Sequence, residues 1–382
     1  MKLRSTVRLL AVLGVVALAA GCTGRAGRAV GPSGAASAQG APDLARFSNP
    51  QVVADRLEVP WGIAFLPDGS ALVTERESAR ILLVQPGAPP REVTRVPGVE
   101  PVGEGGLLGI AVPPDYARTR LVYAYLTSGE DNRIVRFRLG EQPQPILTGI
   151  PKASIHNGGR IAFGPDGMLY ATTGTSVPSR AQDRRSLGGK ILRLEPDGGV
   201  PADNPFPGSP VFTLGHRNVE GIAWDAAGRL FASEFGQSRF DEVNRIQAGR
   251  NYGWPEFEGG GAGDRFVDPL LTWRTSEASP SGVAVDGAVL YVAALHGERL
   301  WAVPLDQSGG VGRPTALLTG QYGRLRTVAV ARDGAIWVLT SNRDRRGVPG
   351  PDDDRILRFP ARQRGGQVSR TAGGRGSAPP RS

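Results

Sequence analysis

The sequence is poor in the residues that most often form metal centres and covalent nucleophiles. Its 382 residues include a single cysteine, Cys22, and only three histidines. One cysteine cannot form an intramolecular disulfide, and a transition-metal site built from several His and Cys ligands is disfavoured. The chain also lacks the G-x-S-x-G sequence of nucleophile-elbow hydrolases. The search for chemistry therefore turns to loops that carry other unusual side chains.

The central part of the chain also lacks an excess of either charge. The formal net charge of +9 comes from the two ends, because residues 1–45 hold an excess of four positive charges and residues 361–382 hold five arginines without an acid. Residues 46–360 are therefore formally neutral. A neutral domain lacks the basic surface that nucleic-acid binding requires, so we expect no nucleic-acid partner.

The N-terminus has the pattern of an export signal. Three basic residues in the first eight precede an apolar run over residues 9–20, which is too short to span a bilayer comfortably. Small residues then lead directly to Cys22, an arrangement that resembles the bacterial lipobox. We expect residues 1–22 to be a lipoprotein-type signal ending at a lipidated Cys22, which would anchor the protein to the outer face of the cell membrane. Ordinary secretion is the alternative.

Composition divides the remaining chain into three parts. Residues 23–45 are rich in Gly, Ala, Ser and Pro, which is typical of a flexible tether. Residues 361–382 are polar, Gly-rich and basic, and we expect this tail to be disordered. Residues 46–360 form a single predicted domain, for which we expect a monomer.

One phrase occurs six times in that domain: an apolar strand, a turn built on Asp-Gly or its equivalent, and a second apolar strand. The spacing of 45 to 61 residues between copies suits one four-stranded blade each, and the alternation around each turn favours a β-hairpin. We predict an all-β fold, a six-bladed β-propeller of four-stranded antiparallel blades. The copies begin at Ile63, Ile110, Ile161, Ile222, Val283 and Val328.

His156 is a candidate general base. It lies beside Gly158 and Gly159, on a loop where the backbone can approach a ligand. Asp166, ten residues on, is expected to lie across the adjacent hairpin and to orient the imidazole and stabilise its charged form. The alternative is a structural loop histidine and an ordinary turn aspartate.

Three further groups could bind ions. Arg217 has forked donors suited to a carboxylate or a developing oxyanion. Residues 233–242 combine glycine, carbonyls and carboxylates, the oxygen-rich character that calcium prefers. Arg324 and Arg326 alternate immediately before the last repeat, so both would lie on one strand face and could clamp an anion. A solvated strand edge is the plainer interpretation of this last pair.

Taken in order, these pieces resemble the soluble glucose/aldose sugar dehydrogenases that use pyrroloquinoline quinone (PQQ), a six-bladed propeller family. The similarity runs from about Val59 to Phe359. The motifs that carry it are WGIAF at 61–65, EGGLLG at 104–109, HNGGRIAFGPDG at 156–167, GKILRL at 189–194, LGHRN at 214–218, DEVN at 241–244 and NYGWP at 251–255.

The resemblance implies a PQQ- and calcium-dependent oxidation of aldose sugars, with an electron acceptor that the sequence does not identify. His156 would remove the hydroxyl proton at the anomeric carbon, held by Asp166, while hydride passes to PQQ and Arg217 polarises the quinone carbonyl. The implied cofactor contacts are Glu104, Arg217, Asn218, His296, Arg324 and Arg326. The implied calcium ligands are the carbonyls of Gly236 and Gln237, with Glu242 and a backbone oxygen of Tyr252 at a second, structural calcium.

Three positions depart from the family pattern. Glu104 stands in place of a glutamine, His296 in place of a lysine, and Gln237 in place of a proline whose carbonyl is retained. The first two changes reduce the positive charge offered to a tricarboxylate cofactor. They keep two alternatives open: a non-enzymatic propeller that binds a glycan or a protein, and a calcium-dependent lactonase.

Overall fold

The computed structural model describes residues 43–362, which form six four-stranded antiparallel sheets arranged as a six-bladed β-propeller. This confirms the predicted fold. The predicted signal sequence, Cys22, nearly all of the tether and nearly all of the basic tail lie outside the described residues. Within residues 43–362, no helix is long and apolar enough to cross a membrane.

The strands supply almost all of the regular structure. In chain order they are β1 (Gln51–Ala54), β2 (Pro60–Phe65), β3 (Ala71–Glu75), β4 (Arg80–Val84), β5 (Arg91–Arg95), β6 (Leu107–Ala111), β7 (Leu121–Thr127), β8 (Asn132–Arg138), β9 (Gln144–Ile150), β10 (Ile161–Phe163), β11 (Leu169–Thr172), β12 (Lys190–Leu194), β13 (Val211–Leu214), β14 (Val219–Trp224), β15 (Leu230–Glu234), β16 (Phe240–Ile246), β17 (Leu271–Arg274), β18 (Pro280–Asp286), β19 (Val289–Ala294), β20 (Arg299–Pro304), β21 (Thr315–Leu317), β22 (Leu325–Val330), β23 (Ile336–Thr340) and β24 (Ile356–Phe359). The short helices are α1 (Tyr116–Thr119) and α2 (Pro178–Gln182), and single 3₁₀ turns cover Leu44–Phe47 and Gly263–Arg265.

Each sequence repeat forms the two inner strands of one blade. The blades are β2–β5, β6–β9, β10–β13, β14–β17, β18–β21, and β22–β24 completed by β1. The first strand thus pairs antiparallel with the last, with Gln51 opposite Arg358. The hydrogen bonds between β1 and β24 close the ring, because residues 55–59 lead from β1 directly into the first blade.

Glycines allow the inner strands to approach one another around the axis. A Cβ on Gly109 would lie 2.2 Å from the carbonyl oxygen of Gly159 in the next blade, and one on Gly221 would lie 2.3 Å from that of Ser281. Arg160 breaks this pattern in the third blade. Its buried side chain bridges blades by donating from Nη2 to Thr327 Oγ1 (3.1 Å), and it closes the centre of the fold beneath the site described next.

Candidate active site

A cleft of about 460 Å³ opens on the axis, on the side where the inner strands begin. Its wall includes Trp61 from the first inner strand and Gly158 from the segment before β10. The guanidinium of Arg160 lies 4.2 Å from the centre of the Trp61 ring, so a cation–π contact forms part of the floor. Four residues predicted to contact a cofactor line this cleft: Glu104, His296, Arg324 and Arg326.

Asn218 and Arg217 adjoin the cleft from the fourth blade. The Asn218 Oδ1 atom accepts from the backbone N–H of Gly158 at 3.0 Å, and its Nδ2 donates to Glu220 at 3.1 Å. Arg217 lines a smaller neighbouring cavity, and Phe235 borders both spaces. The structure therefore brings five of the six predicted cofactor contacts to two adjoining spaces at one end of the axis, whereas Asn218 is fully buried and lines neither space.

His156 is held in an unusual backbone conformation beside the cleft. Its φ of 61° is left-handed, and its backbone N–H donates to Glu104 Oε2 at 2.7 Å. Among the described residues, its ring Nδ1 is buried without a hydrogen-bond partner. Burial and the nearby charge of Arg217 lower the pKa of the imidazole to about 4, although Glu220 opposes this. The ring is therefore neutral near pH 7, as a general base must be.

Asp166 does not contact His156, and this expectation is corrected. Asp166 lies in the turn between β10 and β11, where its Oδ2 accepts from the Tyr170 hydroxyl at 2.9 Å and from Arg193 Nε at 3.0 Å. Its Oδ1 accepts from the Met168 backbone N–H at 3.1 Å. The ten residues from His156 include the whole of β10, so the two side chains lie at opposite ends of the strand. Asp166 is a structural residue.

The cleft carries an excess of positive charge. Five arginines and three carboxylates line it, which leaves two positive charges in excess with His296 neutral. Arg324 donates from both Nε and Nη2 to Asp344 at 3.0 and 2.9 Å, and Arg326 donates from Nη1 to Glu220 at 2.6 Å. Both arginines are buried, so the plainer interpretation of a solvated strand edge is wrong.

The negative charge of Glu104 is paired within the cleft. Its Oε1 lies 2.8 Å from Arg346 Nη2, while its Oε2 holds the backbone of His156. The carboxylate therefore acts on two neighbouring segments instead of facing the cleft as an isolated charge. His296 lies on the cleft wall and is exposed.

The segment predicted to bind calcium is arranged around a cation. Arg217 Nη1 donates to the carbonyl oxygen of Gly236 at 2.5 Å. Glu258 fixes the same loop, because its Oε1 accepts from the backbone N–H groups of four consecutive residues, 237–240, at 2.7 to 3.2 Å. The amide oxygen of Gln237 accepts from Trp254 Nε1 at 3.3 Å. The Gly236 carbonyl thus points at positive charge.

Glu242 and Tyr252 line the same smaller cavity as Arg217. The two carboxylate oxygens of Glu242 accept from the Gly259 backbone N–H at 2.8 Å and from Asn244 Nδ2 at 3.0 Å. Burial, together with the charge of Glu234, raises the pKa of Glu242 to about 7. Over residues 43–362, no three His, Asp or Glu side chains converge as metal ligands. A calcium ion here would depend largely on backbone oxygens.

The comparisons with known proteins agree with this geometry. Residues 57–348 match the family described as Glucose / Sorbosone dehydrogenase. This chain belongs to that family. The PQQ-bound aldose sugar dehydrogenase of Streptomyces coelicolor is 54% identical, with 81% of this chain and 96% of that chain covered and a TM-score of 0.79. The Escherichia coli K12 aldose sugar dehydrogenase is 30% identical over 76% of this chain and 90% of its own length. Quinoprotein glucose dehydrogenase B of Acinetobacter calcoaceticus is 34% identical, over 55% of this chain and 52% of its own.

This glucose/sorbosone dehydrogenase family member has cleft-wall residues that sequence reasoning missed. Arg76 directly follows the second strand of the first repeat, and Arg345 and Arg346 lie five and six residues after that of the sixth repeat. Their position in the segment after a repeat strand was the available signal, since that end of the hairpin also carries His156. Glu220 and Asp344 pair with Arg326 and Arg324. The sequence did not predict these pairs, because the partners are distant in sequence.

Proposed function

We propose that this chain is a PQQ- and calcium-dependent dehydrogenase of aldose sugars. The observation that carries the proposal is a neutral, half-buried His156 beside an axial cleft with an excess of arginine charge. Membership of the glucose/sorbosone dehydrogenase family and the PQQ-bound Streptomyces relative support the same cofactor.

The residues present fit a planar quinone that carries three carboxylates. The cleft has more positive than negative side chains, and Arg326, buried in its wall, has an Nε–H without a partner among the residues described. A buried donor without a partner is unfavourable and indicates a site for an acceptor. Arg324 and Arg326 would hold the cofactor, with Arg217 beside it, and the fully buried Asn218 would hold the Gly158 segment of the cleft wall.

His156 would carry the proton transfer. Oxidation of an aldose removes a hydride from the anomeric carbon and a proton from its hydroxyl, which yields a lactone from a cyclic sugar. PQQ, when bound, would supply the hydride acceptor. The neutral imidazole can take the proton, and the charge of Glu220 favours the imidazolium that results. Glu104 holds the His156 backbone in its left-handed conformation.

Calcium would be held next to Arg217. The carbonyls of Gly236 and Gln237 would bind one ion, and Glu242 with the backbone of Tyr252 a second. The three carboxylates that line this cavity, Glu234, Glu242 and Glu258, support a cation site. Calcium added to metal-free protein should raise the melting temperature, and Glu242→Gln should reduce that rise. An equal rise in both proteins would contradict the assignment of Glu242.

The binding-only alternative depended on Glu104 and His296. Because Arg346 pairs with Glu104 and the cleft retains an arginine excess, that objection to an anionic cofactor is weakened. No observation in the described residues favours the lactonase. Turnover of any aldose by the protein loaded with PQQ would eliminate the binding-only propeller.

The proposal extends to export and lipid anchoring through Cys22. The basic segment, the short apolar run and the small residues before the cysteine support it. Cys22→Ser should move the protein from the membrane fraction to the soluble exported fraction. Membrane association that survives this change would contradict the anchor.

The first test is a titration of the full-length protein with PQQ in the presence of calcium, followed by cofactor absorbance. A panel of aldoses is then added to the complex. Binding followed by reduction of the quinone would support the proposal and identify the substrate class. No binding at micromolar PQQ would contradict it.

A further inference from the structure

Arg76 is a buried cation in the cleft wall that the proposed function leaves without a role. It directly follows β3, and its side chain lines the cleft although the residue is only 2% exposed. Its Nη2 donates to Glu77 Oε1 at 3.0 Å. Within the described part of the chain, its Nε is buried without a partner. A guanidinium in this state has lost its water and has been only partly compensated.

Arg76 and Arg326 form an incompletely compensated pair. Arg326 is 5% exposed, and its Nε is also without a partner among residues 43–362. The pKa of Arg76 is lowered by burial and by the positive charge of Arg326. Glu220 and Asp344 offset part of the Arg326 charge, at 2.6 and 3.6 Å, but the Nε–H groups of Arg76 and Arg326 remain without an acceptor in the described structure. An anion that contacts both arginines would stabilise them further.

Two other cleft arginines do not combine burial with an N–H group that lacks an acceptor in the described structure. Arg324 uses its Nε and Nη2 on one oxygen of Asp344, so its donors already have an acceptor. Arg345 shares Glu77 with Arg76, at 3.1 Å from Oε2, but 73% of its side chain is exposed. Water can satisfy Arg345, whereas the Arg76 Nε is buried away from it. Arg76 is thus the member of the Glu77 pair that needs a ligand.

We propose that Arg76 binds a carboxylate of the PQQ cofactor together with Arg326, and so replaces the positive charge that is absent at His296. The inference rests on the proposed function, because it names a further contact of the same site. In this assignment Arg76 joins Arg324 and Arg326, which the proposed function already places against the cofactor. Arg76 binds and orients the cofactor and takes no part in proton transfer.

The test compares binding of PQQ and of its trimethyl ester, which lacks the carboxylate charges. Full-length wild type, Arg76→Gln, Arg76→Lys and the matched control Arg345→Gln are titrated with each compound in the presence of calcium. We expect Arg76→Gln to weaken PQQ binding by about 10- to 100-fold, as loss of a charge-assisted hydrogen bond does, with little effect on the ester. Arg76→Lys should lie between, and Arg345→Gln should change binding by less than about threefold because the Arg345 side chain is 73% exposed to solvent.

Each outcome decides between the two proposals. If wild type binds no PQQ, the proposed function fails. If wild type binds PQQ and Arg76→Gln binds it equally well, the role of Arg76 alone is overturned. Equal loss of affinity for PQQ and ester would indicate a merely structural role and would also overturn it. If Arg76→Gln fails to fold, as judged by its melting curve, Arg76→Lys provides the decision. Unchanged PQQ affinity in Arg76→Lys would refute the contact between the Arg76 guanidinium and the cofactor.

Discussion

The two sides of the propeller treat buried charge differently. On the side where the inner strands end, Arg46 donates from Nε, Nη1 and Nη2 to Pro360, Asp286 and Gly334. On the cleft side, Arg76, Arg326 and His156 each keep a buried nitrogen without a partner in the part of the chain that the structure describes. Arg46, Arg76 and Arg326 are all buried, so burial alone does not distinguish the two sides. Unmatched donors also occur on the far side, where Arg362 Nε and Nη2 lack a hydrogen-bond partner among the described residues beside Asp286, but those of Arg76 and Arg326 belong to residues that line an open cleft.

The third blade contains this contrast in a single hairpin. His156, at the cleft end, holds a left-handed backbone and a free ring nitrogen, whereas Asp166, at the other end, accepts three hydrogen bonds. The same contrast predicts opposite consequences of substitution at the two ends: loss of function at one and loss of stability at the other.

The largest expected effect is on turnover. His156→Ala should lower kcat by about 100- to 10,000-fold at saturating PQQ and sugar, because a general base is lost. Asp166→Asn, at the far end of the hairpin, should retain activity within about threefold. Dye reduction with an aldose measures both. A comparable loss of activity in the two variants would indicate that Asp166 belongs to the active site. It would contradict the difference that we infer between the two ends of the hairpin.

Stability should show the reverse order. Asp166→Ala removes the acceptor of Arg193 and Tyr170, and should lower the free energy of unfolding by about 1–3 kcal/mol. His156→Ala leaves no hydrogen bond of its ring Nδ1 to be lost in the described structure, and should change stability less. Urea unfolding of both apoproteins is the measurement. A more destabilised His156 variant would show that the imidazole is a structural group.

The titration of His156 tests its environment directly. Its pKa of about 4 lies below the unfolded value near 6.5, so the folded state binds fewer protons between these values. The stability contributed by this group therefore falls as pH falls from 6.5 towards 4. With three histidines in the chain, NMR titration of the apoprotein can assign His156 by comparison with His156→Gln. A midpoint at or above 6.5 would contradict the buried, arginine-flanked geometry.

The smallest expected effect is that of a neighbouring carboxylate. Glu220 raises the pKa of His156, so Glu220→Gln should lower the midpoint of the same titration below that of wild type. Asp166→Asn should leave the midpoint unchanged, because Asp166 lies beyond β10. A downward shift in the Asp166 variant, or none in the Glu220 variant, would mean that a different carboxylate acts on the imidazole.

The sequence by itself determined the architecture, because a repeated hairpin with Gly-rich inner strands buries its faces only by stacking against further copies. It also predicted His156, Arg217, Arg324 and Arg326 as site residues, and the structure places them near the ends of those strands. The error at Asp166 arose because ten residues of spacing do not tell which end of a short strand a side chain reaches. Closure by β1 and β24 was likewise not visible in the repeat pattern.

Only the tertiary structure decided the charge of the cleft. Arg346 meets Glu104, and Arg326 meets Glu220, across 242 and 106 positions of sequence. The sequence periodicity does not predict such pairs, because the two partners belong to different blades. They come into contact only when the blades close into the ring. Whether a buried arginine is satisfied or still needs a ligand depends on those distant partners. For Arg76, only the contacts between the first and sixth blades in the folded structure show whether its donors have acceptors.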